Sequence, residues 1–258
     1  MGFLPGTGVS TVDSLLYAVG RTRLFKAGIS GAYFRSTGTG ASASGGNTVG
    51  FSVSLNAGTV AASNGKFGYF DPTSSSITSG GSTIDYSKRI RFAMGGMMYI
   101  GSTNSVIRIV FSGTGNSTDA PFSNANGLTV KGFGVEFALV SSIIQARLIG
   151  FNASYLTPTS YTTLTNGFGL AAADNRYFGL VLESDGLGNI YLYGAESSLN
   201  PDINVGSTPL LTLTGGPTNS TGSNRFGPEV QCANHGTVAP TSSLSALLIS
   251  SSWLYDVQ

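Results

Sequence analysis

Charge is scarce in this chain of 258 residues: Asp, Glu, Lys and Arg together make up 10% of it, against roughly a quarter in an ordinary soluble domain. That does not match the surface of a typical helical cytosolic enzyme. The 13 Lys and Arg against 12 Asp and Glu leave a formal net charge of +1. This excludes nucleic-acid binding through a basic arm, which needs many cations to displace counterions from phosphate. A single cysteine, Cys232, excludes any intrachain disulfide, so the core must carry the fold. A single histidine, His235, removes zinc sites built on several imidazoles and leaves one position for a Ser/His/Asp triad, with no Gly-x-Ser-x-Gly elbow to accompany it. No apolar run reaches the length of a membrane span; Phe137 to Phe151 is interrupted by Ser141, Ser142, Gln145 and Arg147. The first residues, Met1 to Gly8, lack a basic region followed by an apolar one, and the first cation is Arg21, so no classical signal peptide is expected.

What is present argues for a folded, glycine-rich β protein. Hydrophobic residues reach 41%, aromatics 10%, and there are 37 glycines. The apolar share is ample to offset chain entropy, which excludes a disordered chain. The low charge and the abundance of Gly, Ser, Thr and Asn suit an exterior surface. With no export signal, a virion protein assembled in the cytoplasm and exposed after lysis fits, as does an extracellular protein secreted by an unconventional route.

Two regions differ in pattern. In residues 1–28, Ser10-Thr11-Val12-Asp13 is placed to cap a short helix over Ser14 to Val19, stopped by Gly20. Leu15, Leu16 and Val19 fall on one side of it and Tyr17 adds apolar area. A helix this short is marginal alone, so the segment reads as an assembly arm that covers itself on a neighbouring subunit or on its own domain. Residues 29–258 form short β-rich runs between Gly, Ser, Asn and Pro clusters, the rhythm of an all-β sandwich. Expected strands include Gly31 to Arg35, Thr48 to Leu55, Lys66 to Phe70, Ile90 to Ile100, Val106 to Ser112, Gly132 to Val140, Gln145 to Phe151, Phe226 to Ala233 and the closing run Leu244 to Val257. The Gly-rich stretch Gly38 to Gly46 lacks the Lys-Ser/Thr ending of a phosphate loop and reads as a flexible loop. The clearest element is a hairpin: Tyr177 to Glu183 and Ile190 to Tyr193 flank Ser184-Asp185-Gly186-Leu187-Gly188-Asn189, whose glycines supply the positive φ a turn requires.

From about Ile84 to Val257 the order of these segments resembles the concanavalin A-like jelly roll, in particular the laminin-G-like form found in lectins, glucanases and phage fibre or capsid-surface proteins. The resemblance rests on Ile90-Arg91-Phe92, Ile107 to Phe111, Gly132 to Phe137, the hairpin through Leu192-Tyr193-Gly194, and Ile249 to Val257. It implies an all-β, two-sheet antiparallel jelly-roll sandwich. Glucanases of the superfamily carry Glu-x-Asp-x-x-Glu; here Glu183-Ser184-Asp185 is followed by Gly188 where the second Glu belongs. A retaining glycosidase needs two carboxylates about 5–5.5 Å apart, so no enzyme is expected. The superfamily's metal site depends on Asp and Asn around a strand and loop, a role open to Glu183, Asp185 and Asn189 toward Ca²⁺, although the same residues are ordinary turn formers. Tyr191, Tyr193 and Trp253 are candidates for stacking on sugar rings, against the alternative that they are core. Lys88-Arg89-x-Arg91 offers contacts to an anionic sugar or a neighbouring subunit, or simply a solvated face. The expected function is a non-enzymatic structural surface protein of a virus or phage particle, associating with itself or other particle subunits. A free carbohydrate-binding lectin and, more distantly, a glycan hydrolase are the alternatives.

Overall fold

The computed structural model describes residues 23–26, 33–46, 51–68, 86–113, 131–154, 156–163, 170–171, 176–197, 208–219, 226–241, 244–250 and 254–257. Within them the secondary structure is entirely strand: β1 Arg23–Lys26, β2 Tyr33–Thr37, β3 Ala41–Gly46, β4 Phe51–Ala57, β5 Asn64–Gly68, β6 Ile90–Ile100, β7 Ser105–Gly113 and β8 Gly132–Val140. The chain continues through β9 Ile143–Phe151, β10 Leu170–Ala171, β11 Arg176–Ser184, β12 Asn189–Ser197, β13 Leu211–Thr214, β14 Phe226–Asn234, β15 Leu244–Ser250 and β16 Leu254–Val257.

The strands form two antiparallel sheets. Sheet A runs β13-β12-β11-β6-β15-β4-β3, with β16 also pairing β6 and β1 pairing β16; sheet B runs β10-β9-β8-β7-β14-β5-β2. The late strands insert between early ones: β14 lies between β5 and β7 in sheet B, and β15 between β4 and β6 in sheet A. That nested order makes the domain a two-sheet antiparallel jelly-roll sandwich.

Alternation along the strands explains the core. Ile107, Ile109 and Phe111 of β7, Phe133, Val135 and Phe137 of β8, and Val230 and Cys232 of β14 face Leu180 and Leu182 of β11, Phe92 of β6 and Leu192 of β12, all fully or almost fully buried. Phe111 and Phe133 pack with ring centroids 5.4 Å apart, and Tyr86 meets Phe133 edge-on at 6.3 Å. Tyr86 is buried but satisfied, its hydroxyl donating to the Lys131 carbonyl at 2.9 Å; burial raises its pKa well above the ordinary phenol value.

Two expectations need correction. The Gly38 to Gly46 stretch is no simple loop, because Ala41–Gly46 pairs with β4 as the edge strand β3. Its small side chains carry little β signal, and pairing with a committed neighbour supplies what propensity does not. Within the segment read as the arm, β1 pairs with β16 through Arg23↔Asp256 and Lys26↔Leu254. The closing run divides into β15 and β16, which pair with different halves of the long strand β6. The arm residues Leu15, Leu16, Tyr17 and Val19, like Trp253, lie outside the described residues.

Candidate functional site

The hairpin read from the sequence is present and organises one outer face. Strands β11 and β12 pair in unbroken register from Tyr177↔Ser197 to Ser184↔Ile190. The turn closes because Gly186 and Gly188 take φ of +80° and +92°, where a side chain would be strained. At Gly186 an added Cβ would also come within 2.5 Å of the Ser87 carbonyl oxygen. Asp185 knits the turn together. Its Oδ1 accepts from the Leu187 and Asn189 amides at 2.8 and 3.0 Å, and its Oδ2 accepts from Asn189 Nδ2 at 2.6 Å and the Tyr191 hydroxyl at 3.2 Å. Desolvation alone would raise the Asp185 pKa, but these donors outweigh it and hold the carboxyl below its usual range.

Because Leu182 and Leu192 point into the core, Glu183 and Tyr191 point away from it. Register sets Tyr191, Glu183 and Arg91 side by side on β12, β11 and β6, with Thr212 on one flank and Asp256 on the other. Glu183 is 2% exposed and carries two guanidiniums. Arg89 donates to Oε1 through Nε at 3.0 Å and Nη2 at 2.7 Å. Arg91 Nε lies 2.9 Å from Oε2, yet neither atom has a hydrogen-bond partner, so this contact is an ion pair whose N–H direction misses the oxygen. The Arg91 guanidinium sits 5.6 Å from the centroid of the Tyr193 ring, in cation–π range, and the Tyr191 and Tyr193 rings lie 6.4 Å apart at 45°. Both tyrosines are half-buried. Burial raises both phenol pKa values, with Asp185 adding to the effect at Tyr191 and Glu183 at Tyr193.

Five sequence-selected residues, Glu183, Asp185, Asn189, Tyr191 and Tyr193, thus belong to one hairpin, but they do different work. Glu183 is spent on two arginines, and Asp185 on four donors that include Asn189. Among the described residues no group of three or more His, Cys, Asp or Glu side chains is placed to hold a metal ion. His235 follows β14 and accepts at Nδ1 from the Thr237 amide at 3.2 Å, and Cys232 lies in the core.

A second cluster escaped sequence reasoning. On the outer face of sheet B, register aligns Lys66, Gln231, Arg108, Glu136 and Arg147 across β5, β14, β7, β8 and β9. Glu136 is fully buried; Arg108 Nε reaches its Oε2 at 2.7 Å, Arg147 Nε its Oε1 at 2.8 Å, and the Tyr161 hydroxyl donates to Oε1 at 2.5 Å. The Arg147 guanidinium stacks 4.6 Å from the Tyr161 centroid. Burial alone would raise the Glu136 pKa, but Arg108 and Arg147, with the hydrogen bonds from Tyr161 and Arg108, hold it below its ordinary value. An ionised carboxylate so enclosed has no proton to donate as a general acid. It anchors Tyr161, whose segment pairs along β9 through Ala146↔Thr162, over the sheet. The signal was legible as one long polar residue at the centre of each apolar strand: Ile-Arg-Ile, Val-Glu-Phe, Ala-Arg-Leu and Val-Gln-Cys.

No family model and no curated protein matches the chain. Solved structures with a similar fold include lectin II from Ulex europaeus, at TM-score 0.48 and 10% identity over 91% of this chain and 97% of that one. A carbohydrate esterase from Shiga toxin-encoding bacteriophage phi24B aligns at TM-score 0.46 and 14% identity over 93% and 100%. A Bacillus licheniformis β-glucanase aligns at TM-score 0.43 and 10% identity over 89% and 94%.

Proposed function

We propose that this chain is a non-enzymatic, glycan-binding protein displayed on the surface of a virus or phage particle. The observation that carries the glycan part is the half-buried Tyr191–Tyr193 pair, held on the outer face of sheet A by Asp185 and Arg91. Aromatic faces fixed in this way offer apolar area to a sugar ring, with polar groups at the rim for its hydroxyls. The absence of catalysis is supported by the two carboxylates that are buried among the described residues, Glu136 and Glu183. Each is neutralised by two arginines, and they lie on opposite outer faces of the sandwich, far from the facing arrangement that glycoside hydrolysis requires. The particle setting is supported by the sparse charge and the Gly-rich composition.

The glycan reading is tested by a glycan array with the intact protein and the Tyr191→Ala and Tyr193→Ala variants. Retention of a glycan by the parent, weakened about tenfold or more in either variant while the fold is kept, is the expected result; a parent that retains no glycan sinks it. Electron microscopy of the source material tests the setting: an ordered particle bearing the protein supports it, and a dispersed small oligomer favours a free lectin.

A further inference from the structure

We infer that the tyrosine site is selective for an acidic sugar, one whose ring carries a carboxylate; this rests on the glycan-binding reading above. The argument starts from a ratio. One buried carboxylate, Glu183, is shared by two guanidiniums, so the Arg89–Glu183–Arg91 triad keeps one positive charge. Neither guanidinium is used up. Arg89 commits Nε and Nη2 to Glu183, leaving Nη1, and its side chain is 41% exposed. Arg91 approaches Glu183 through Nε, and its side chain is 19% exposed. Lys88 beside them is exposed and adds a further cation.

Both arginines are held in place before any ligand arrives. Glu183 fixes them from below, and the Tyr193 ring supports Arg91 from the side. A preorganised guanidinium loses little conformational freedom on binding, and its planar fork matches a carboxylate. The spacing suits one sugar. Tyr191 and Arg91 are separated by β11 alone, so their backbones stand about two strand spacings, roughly 10 Å, apart, and the side chains converge from there. A ring resting on Tyr191 and Tyr193 would direct a carboxylate substituent to the free N–H groups of Arg91 and Arg89. Among the described side chains, the two carboxylates nearest the site do not oppose it: Glu183 is covered by the arginines, and both oxygens of Asp185 are engaged by donors.

The experiment compares a uronic-acid oligosaccharide with the same oligosaccharide after reduction of its carboxyl groups, and with a neutral oligosaccharide bearing sulfate esters, by titration calorimetry at low and high salt. The expected result is at least tenfold tighter binding of the uronate than of its reduced form, a preference that shrinks as salt rises, and weaker binding of the sulfated sugar. Arg91→Gln should reduce the preference to near unity while binding of the reduced sugar persists. Arg89→Gln, a change at a more exposed side chain, should reduce it in part and covers the case in which Arg91→Gln fails to fold. Equal binding of the acidic and reduced sugars, or a preference that survives in both folded variants, overturns the inference and leaves glycan binding standing. Tighter binding of the sulfated sugar overturns it in favour of sulfate recognition. Binding of none of the three overturns the glycan reading and this inference together.

Discussion

Glu136 shows how one residue can hold a face of the sandwich. Its burial is tolerated only because Arg108, Arg147 and Tyr161 surround it. Glu136→Gln breaks the buried ion pair that Glu136 makes with Arg108, whose side chain is only 4% exposed, and such broken buried pairs cost about 3–5 kcal/mol. The loss would be read as a lower denaturant midpoint in urea unfolding. Arg147→Ala should cost less, because its side chain is 16% exposed and water can replace part of the interaction. The same residue sets a pH dependence. The Glu136 pKa is lower in the folded state than its ordinary 4.5, so below that value the unfolded chain binds the proton first. The contribution is therefore complete above about pH 4.5 and is lost as pH falls through the folded value. Stability measured across acidic pH should decline more steeply for the parent than for Glu136→Gln, whose residue 136 has no proton to take up.

At the scale of elements, the β11–β12 hairpin positions both tyrosines, and its turn is the point at which it can be broken. Gly186→Ala places a side chain at φ +80° and within 2.5 Å of a backbone oxygen. The expected cost is about 1–3 kcal/mol, read as a lower thermal midpoint, with weakened glycan binding because Asp185 and Tyr191 lose their common frame. This hairpin was readable because all its determinants are local: alternating apolar residues, two glycines and an Asp within a few positions. Strand β3 was not. Ala-Ser-Ala-Ser-Gly-Gly has no bulky residue to mark it, and it is a strand because β4 offers a partner.

For the whole molecule, the junction between arm and sandwich gives a test of assembly. Among the described strands β1 pairs with β16 alone, so a deletion ending at residue 22 keeps every described strand, whereas one ending at residue 28 strips β1 and opens the edge of β16. The shorter deletion should leave the β signature of the far-ultraviolet circular dichroism in place and lower the oligomeric state in light scattering; unchanged assembly would remove the arm as a connector. The longer deletion should increase non-specific association, since an uncovered strand edge is a template for pairing.

Composition and alternation by themselves determined the class of this protein, a β-rich sandwich with no intrachain disulfide, and the hairpin that carries Tyr191 and Tyr193, because each depends on composition or on residues close together in sequence. Only the tertiary structure decided which polar residues meet. Arg89 and Glu183 bond across a separation of 94 residues, and Asn234 hydrogen-bonds Val60 across 174. Glu136 sits within reach of Arg108, Arg147 and Tyr161 because β7, β8 and β9 stack in one register. The physical reason is that strand pairing is chosen by the burial of the opposite, apolar face, so the register that fills the core also fixes which charges face one another outside it.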